Sequence, residues 1–202
     1  MKKYIPYLKS LPQFEKFTDQ DLLRILEKAQ LLEVKKNKVI YKQGEHDNYL
    51  YIILKGLLKS CFDLDKRNFT EYFFVPGDFV ADINTLFSKG ASRHTLMSVI
   101  PSSIIKIPKE HLFEYMCEVP NFQFAAYNVF SNYINAYEFR ARLIISYTSS
   151  IKRFLIFMEK YKEYIDQISN KDVASYLGIT PETLSRLKKQ YLTTSYKTVK
   201  LK

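Results

Sequence analysis

The stretch Ile168–Gln190, ISNKDVASYLGITPETLSRLKKQ, holds the residues of this chain whose types and spacing could do chemistry together. On a helix that starts at Pro181, the outward face carries Pro181, Glu182, Ser185, Arg186 and Lys189, with Thr180, Thr183 and Lys188 beside it. A glutamate can accept from a cytosine amine. An arginine one turn along can donate to guanine O6 and N7, and proline offers only apolar contact, as to a thymine methyl. Threonine, serine and lysine position a helix on phosphates. These are the residue types of a nucleic-acid reader. The plain alternative is a helical hairpin with a solvated basic face.

Such a face must be held by a second helix. Lys171–Leu177 fits one, with Ser169 or Asn170 as its cap. Gly178 allows a tight turn that a side chain would obstruct. Thr180 caps the next helix, and Pro181 suits its first turn. Val173, Leu177, Ile179, Leu184 and Leu187 then face one another and the core, with small Ala174 at the crossing. The spacing predicts a helix-turn-helix, and YLTTSYKTVKLK after it predicts a short basic hairpin, a wing.

The charge distribution agrees. The chain of 202 residues has a formal net charge of +10, which makes a polyanion partner plausible. From residue 146 onward there are 11 basic and 5 acidic residues. Arg186, Lys188, Lys189, Lys197, Lys200 and Lys202 close the chain with no acid among them. Two cysteines, Cys61 and Cys117, cannot by themselves build a disulfide framework, a zinc finger or a four-cysteine cluster. His46, His94 and His111 show no metal spacing, so no metal and no cofactor is expected. No apolar run is long enough for a signal peptide or a bilayer span, so the expected location is the cytoplasm, with no membrane partner.

The remaining elements follow from periodicity. TDQDLLRILEKAQ reads as a helix capped by Thr18. Between Leu31 and Pro108 come LLEV, VIYK, YLYIILK, LLKSCF, FTEYFFV, DFVADI, TLMSVI and SIIKI, eight short β-rich runs separated by turn signals. They predict an all-β sandwich, jelly roll or barrel. KEHLFEYMCE reads as a short helix. From Asn121 to Ile145 runs a long helix with two apolar stripes. One stripe is Tyr127, Phe130, Ile134, Tyr137, Ala141 and Ile144 at heptad spacing. The other is Ala126, Val129, Tyr133, Ala136 and Leu143. Both stripes could pack in one monomeric core; the preferred assignment gives the first to a second copy of the helix, as a dimer seam, and the second to the chain's own β-domain. SYTSS, Ser146–Ser150, marks a boundary before a helix around Ile151–Ile165. The fold class is α+β, with a β-domain over 1–120, a dimerisation helix over 121–145 and a helix-turn-helix domain over 146–202.

In this order of parts, and in two motifs, the chain resembles the CRP/FNR family of bacterial transcription regulators. GEHDNYLYIILKG, Gly44–Gly56, is similar to that family's barrel motif. ITPETLSRLKK resembles its recognition helix, where a Glu-Thr pair precedes an arginine; relatives often carry arginine where Pro181 stands. The resemblance implies a cyclic-nucleotide-binding-like β-roll, a winged helix-turn-helix, a homodimer on double-stranded DNA, RNA polymerase as a further partner, and no enzyme activity. It also points to an effector pocket at Asp82, Arg93 and His94. Arg93 falls at the family's phosphate-gripping arginine. Ala81-Asp82 replaces the expected Gly-Glu, one residue is inserted near Asn84–Thr85, and His94 replaces a small hydroxyl residue. The expectation is therefore no response to cAMP, with an unknown small-molecule effector or none. Two other readings stand beside this one. In the first, a ligand-binding β-module docks a protein through its helical tail. In the second, the chain is a cupin-like enzyme, for which the strands lack the HxH-type ligands.

Overall fold

The computed structural model describes residues 1–199 apart from Lys89, Cys117, Pro120 and Thr148, and side chains as far as Tyr191. Two four-stranded antiparallel sheets form the centre. One has the order β1-β8-β3-β6, from Gln30–Val34 (β1), Ser102–Pro108 (β8), Tyr49–Lys55 (β3) and Phe79–Val80 (β6). The other has the order β2-β7-β4-β5, from Val39–Tyr41 (β2), Thr95–Ser98 (β7), Leu58–Leu64 (β4) and Arg67–Phe74 (β5). Each predicted β-rich run contributes to a strand. The run DFVADI is the partial exception: only Phe79–Val80 is strand, and Ile83 opens a helix that the sequence reading missed.

Strand period two divides the apolar residues between two cores. Tyr51, Ile53 and Ile104 join Leu58 and Leu96 in one buried cluster. Ile52, Ile105 and Ile107, on the opposite face of the first sheet, pack with Leu8, Phe14, Leu22, Leu26 and Leu112 from flanking helices. The flanking helices are Ile5–Lys9 (α1), the 3-10 turn Pro12–Phe14, Asp19–Ile25 (α2) and Lys109–Met116 (α4), while Ile83–Phe87 (α3) follows β6. A capping box formed by Thr18 and Asp21 starts α2, as expected. Gly56 is required where β3 turns into β4: its φ is +102°, and a Cβ there would lie 2.1 Å from the Ser102 hydroxyl.

The C-terminal half is helical: Phe122–Ser146 (α5), Ser150–Tyr161 (α6), Asn170–Leu177 (α7) and Pro181–Val199 (α8). Helix α8 corrects one expectation. The hairpin read from Tyr191 onward does not form over 191–199, where the helix simply continues, and residues 200–202 lie outside the described residues. Phe154 anchors this continuation, its ring centroid 5.9 Å from that of Tyr191.

Candidate nucleic-acid interface and effector cavity

Local chemistry builds the helix-turn-helix from both ends. The Ser169 hydroxyl accepts from the Asp172 amide at 3.1 Å and caps α7. Gly178 ends α7 in the left-handed conformation, φ +62°. The Ile179 amide then reaches back to the Ala174 carbonyl at 3.0 Å. The Arg153 guanidinium, from α6, donates to the Leu177 carbonyl at 2.8 Å. Thr180 caps α8 by accepting from the Thr183 amide at 3.2 Å. Val173, Ala174, Leu177, Leu184 and Leu187 are all buried where the helices meet.

That packing leaves Pro181, Glu182, Ser185, Arg186 and Lys189 on an exposed face of α8. The Glu182 carboxyl is held below its ordinary range, first by its own backbone amide and then by Thr180, so it stays ionised as an acceptor. Three of the expected contact residues have work within the chain. Thr180 and Thr183 form the cap. Lys188 is half-buried and donates to the Asn170 side chain at 2.8 Å, and burial lowers its pKa.

Helix α7 is also fastened to β4 and to β5, the edge strand of its sheet. Lys59 and Asp172 form an ion pair whose side chains are 10% and 16% exposed. The Thr70 hydroxyl donates to the same Asp172 oxygen at 3.1 Å. The Thr70 amide donates to the Ser175 hydroxyl at 2.8 Å, and Arg140 of α5 donates to the Thr70 carbonyl at 3.0 Å. Edge groups that would otherwise seek another strand are thereby satisfied. Phe73 packs beneath, with ring centroids 5.5 Å from Tyr176 and 5.6 Å from Tyr161.

Helix α5 divides its apolar residues between two surroundings. Ala126, Val129, Tyr133 and Ala136 line crevices against the β-domain, and Leu143 is buried. On the heptad stripe, Tyr127 (68%) and Ile134 (61%) are exposed, as are Ala141 and Ile144. Phe130 and Tyr137 turn inward instead. Phe130 lies 5.0 Å from the Phe87 ring, and Tyr137 stacks on Tyr72 at 6.4 Å. Ile145, 79% exposed, joins the outer face.

Beside α5 opens a cavity of about 430 Å³, lined by Glu71, Asp82, Ile83, Asn84, Phe87, Ser88, Arg93, His94, Tyr133 and Tyr137. It brings the three expected effector residues together, and each has a distinct state. Asp82 is the buried cap of α3: one oxygen accepts from the Asn84 and Thr85 amides at 2.9 and 3.1 Å. The other accepts from the Ser92 hydroxyl at 2.7 Å and the Arg93 amide at 3.0 Å. It therefore organises the loop and has little capacity left for a ligand. His94 is buried, with Nε2 2.8 Å from the Tyr41 hydroxyl and Nδ1 3.3 Å from Asp82. Arg93 is exposed, and its side chain forms no ion pair with the described residues within 4.0 Å.

Sequence reasoning missed Glu71, Tyr133 and Tyr137 as cavity walls. Glu71 Oε2 is shut off from solvent without a well-formed hydrogen bond. Burial pushes the Tyr133 hydroxyl up to about 12. Burial and then the Glu71 carboxylate push that of Tyr137 up.

Residues 31–118 match the sequence profile of the cyclic nucleotide-binding domain. The regulatory protein HlyX of Actinobacillus pleuropneumoniae is 25% identical over 167 residues, covering 76% of this chain and 68% of the relative. In structure, the chain is similar to FixK2 from Bradyrhizobium japonicum, with a TM-score of 0.72, 21% identity, and 83% and 86% of the two chains covered. It is also similar to a protein of the crp/fnr family from Eubacterium rectale, with a TM-score of 0.70, 16% identity, and 91% and 87% covered. Among the described residues no helix is long and apolar enough to cross a membrane.

Proposed function

We propose that this chain, a member of the CRP/FNR family of transcription regulators, works as a homodimer that reads a palindromic site in double-stranded DNA with the 181–189 face. The observation that carries the reading is the exposed set Pro181, Glu182, Ser185, Arg186 and Lys189 on a helix whose other side is locked to α7. Glu182 and Arg186, one turn apart, together read one G·C pair per half-site, by cytosine N4 and guanine O6/N7. Pro181 offers an apolar contact where relatives often place arginine, and so drops one guanine contact. Thr180, Thr183, Ser185, Lys188 and Lys189 hold the helix on phosphates or keep it in shape.

The dimer forms through the exposed stripe of α5 at Tyr127, Ile134, Ala141 and Ile144. A two-fold axis along α5 sets the half-sites about one helical turn, roughly 34 Å, apart. The chain divides functionally into a β-domain over 1–120, the dimerisation helix over 121–145 and the DNA-binding domain over 146–202. RNA polymerase is a further partner of the DNA-bound form.

The cavity beside α5 is the effector site, and cAMP does not act there. Asp82 is committed to capping α3, so nothing replaces the glutamate that grips a ribose. Arg93 shares its cavity with two carboxylates, Glu71 and Asp82, an adverse setting for a cyclic phosphate. Selection of bound sites from random duplex DNA tests the DNA reading. A palindrome whose affinity falls steeply with salt supports it. No enrichment, together with binding to a protein through the helical tail, favours the docking-module reading.

A further inference from the structure

The polarity of the cavity is unusual for a chain of net charge +10. Glu71 and Asp82 both line it together with Arg93, and among the described residues the basic side chain within 4.0 Å of either carboxylate is His94, at 3.8 and 3.3 Å. Asp82 is saturated by backbone and serine donors. Glu71 has fewer: the Tyr137 hydroxyl approaches it, but its side chain is a fifth exposed and one of its oxygens is buried without a well-formed hydrogen bond. A carboxylate short of donors in a partly dry site gains from any N–H donor that enters. Three aromatic side chains, Phe87, Tyr133 and Tyr137, line the same space. Aromatic faces attract ammonium groups, and more so as water is excluded. The volume, about 430 Å³, lies within the range of small-ligand sites, roughly 300–1,000 Å³. Among the described residues no set of three histidine, cysteine or acidic side chains is arranged to hold a metal ion.

We infer that this cavity takes a small organic ligand bearing a primary ammonium group, seated on the Glu71 carboxylate and walled by Phe87, Tyr133 and Tyr137. Arg93, exposed on the rim, then faces whatever part of the ligand projects outward; a carboxylate there, held away from Glu71 and Asp82, strengthens binding. The inference rests on reading the cavity as the effector site.

The test is calorimetry on the full-length free protein with millimolar putrescine, with lysine, and with glutarate as an anionic control of similar length. DNA is absent from the assay, so a failure here leaves the DNA-binding reading standing. The expected result is saturable binding of putrescine and lysine and none of glutarate. The basic surface repels diamines elsewhere, so adventitious binding is suppressed. Glu71→Gln, isosteric, removes the charge and should weaken putrescine about tenfold or more, the worth of a charge-assisted hydrogen bond. Phe87→Ala, at a ring 48% exposed, is the second variant. It tests the aromatic wall should Glu71→Gln fold poorly, and should weaken putrescine several-fold, as expected for a cation–π contact. Arg93→Ala should weaken lysine relative to putrescine, since it removes the partner of the lysine carboxylate and a charge that repels the second ammonium of putrescine. Absence of binding by both amines, binding of glutarate instead, or wild-type affinity in either Glu71→Gln or Phe87→Ala overturns the inference.

Discussion

Replacing Asp172 by alanine should be among the most damaging single changes to this fold. Its carboxylate accepts from Lys59, from the Thr70 hydroxyl at 3.1 Å and from the Ser169 hydroxyl at 2.7 Å. Lys59 belongs to the β-domain and is itself buried. Truncation strands that ammonium without its carboxylate, and breaking a buried pair from one side costs about 3–5 kcal/mol. For a chain of this length each kcal/mol moves the melting temperature by roughly 2–4 °C, so the expected drop is about 6–20 °C. Scanning calorimetry and urea titration measure it. Lys59→Met combined with Asp172→Leu removes both charges and should recover most of the loss, since apolar residues of similar volume often replace a buried pair at little cost. Hydrogen exchange should show faster opening of Thr70 and its β5 neighbours in Asp172→Ala, because that edge strand loses its cover. A loss below about 1 kcal/mol, or a double variant no better than Asp172→Ala, would refute the view that this pair fastens α7 to the β4–β5 hairpin.

Three further outcomes are expected. Ile134→Glu places like charges at the middle of the exposed α5 stripe and should convert a dimer to monomer in sedimentation without changing the melting of the chain's own core; a wild-type monomer at micromolar concentration contradicts the seam. Millimolar cAMP should leave the melting temperature unchanged, whereas a ligand at about 100 times its dissociation constant would stabilise by about 2.7 kcal/mol, so an upward shift abolished by Arg93→Ala counts against the cavity reading. Burial raises the Asp78 carboxyl above its ordinary 3.8, so the folded state binds the extra proton and stability falls as pH rises from 3.8 through the raised value; Asp78→Asn should flatten that part of the urea-stability profile, and an unchanged slope contradicts it.

Legibility in the sequence tracked how local the controlling physics is. Strands came from runs of β-branched and aromatic residues, and the helix-turn-helix from Ser169, Gly178, Thr180 and Pro181, all acting within a few residues. Helix α3 was hidden because Asp82 caps it in the middle of an apolar run, so that DFVADI imitates one strand. The segment after Tyr191 has the threonines, tyrosines and valine of a hairpin, yet helix continuity carries it to Val199. The heptad stripe of α5 was visible, but its exact phase against the β-domain was not. Phe130 and Tyr137 turn inward because Phe87 and Tyr72 lie there, which only the folded arrangement reveals. Glu71 had no local signal at all: it meets His94 and Tyr137 across strands and helices far apart in sequence.

The most direct test of the proposed function is the base-pair preference of Arg186→Ala. The wild-type protein and the variant are titrated against the selected palindrome and each of its single-base-pair variants at fixed salt. Arg186 is exposed on α8 with Glu182 one turn before it. Losing a bidentate guanine contact should cost about 1–3 kcal/mol on the preferred site and flatten the preference at one base pair of each half-site. Equal loss of affinity for every sequence, or no change in any, would contradict base reading by this helix.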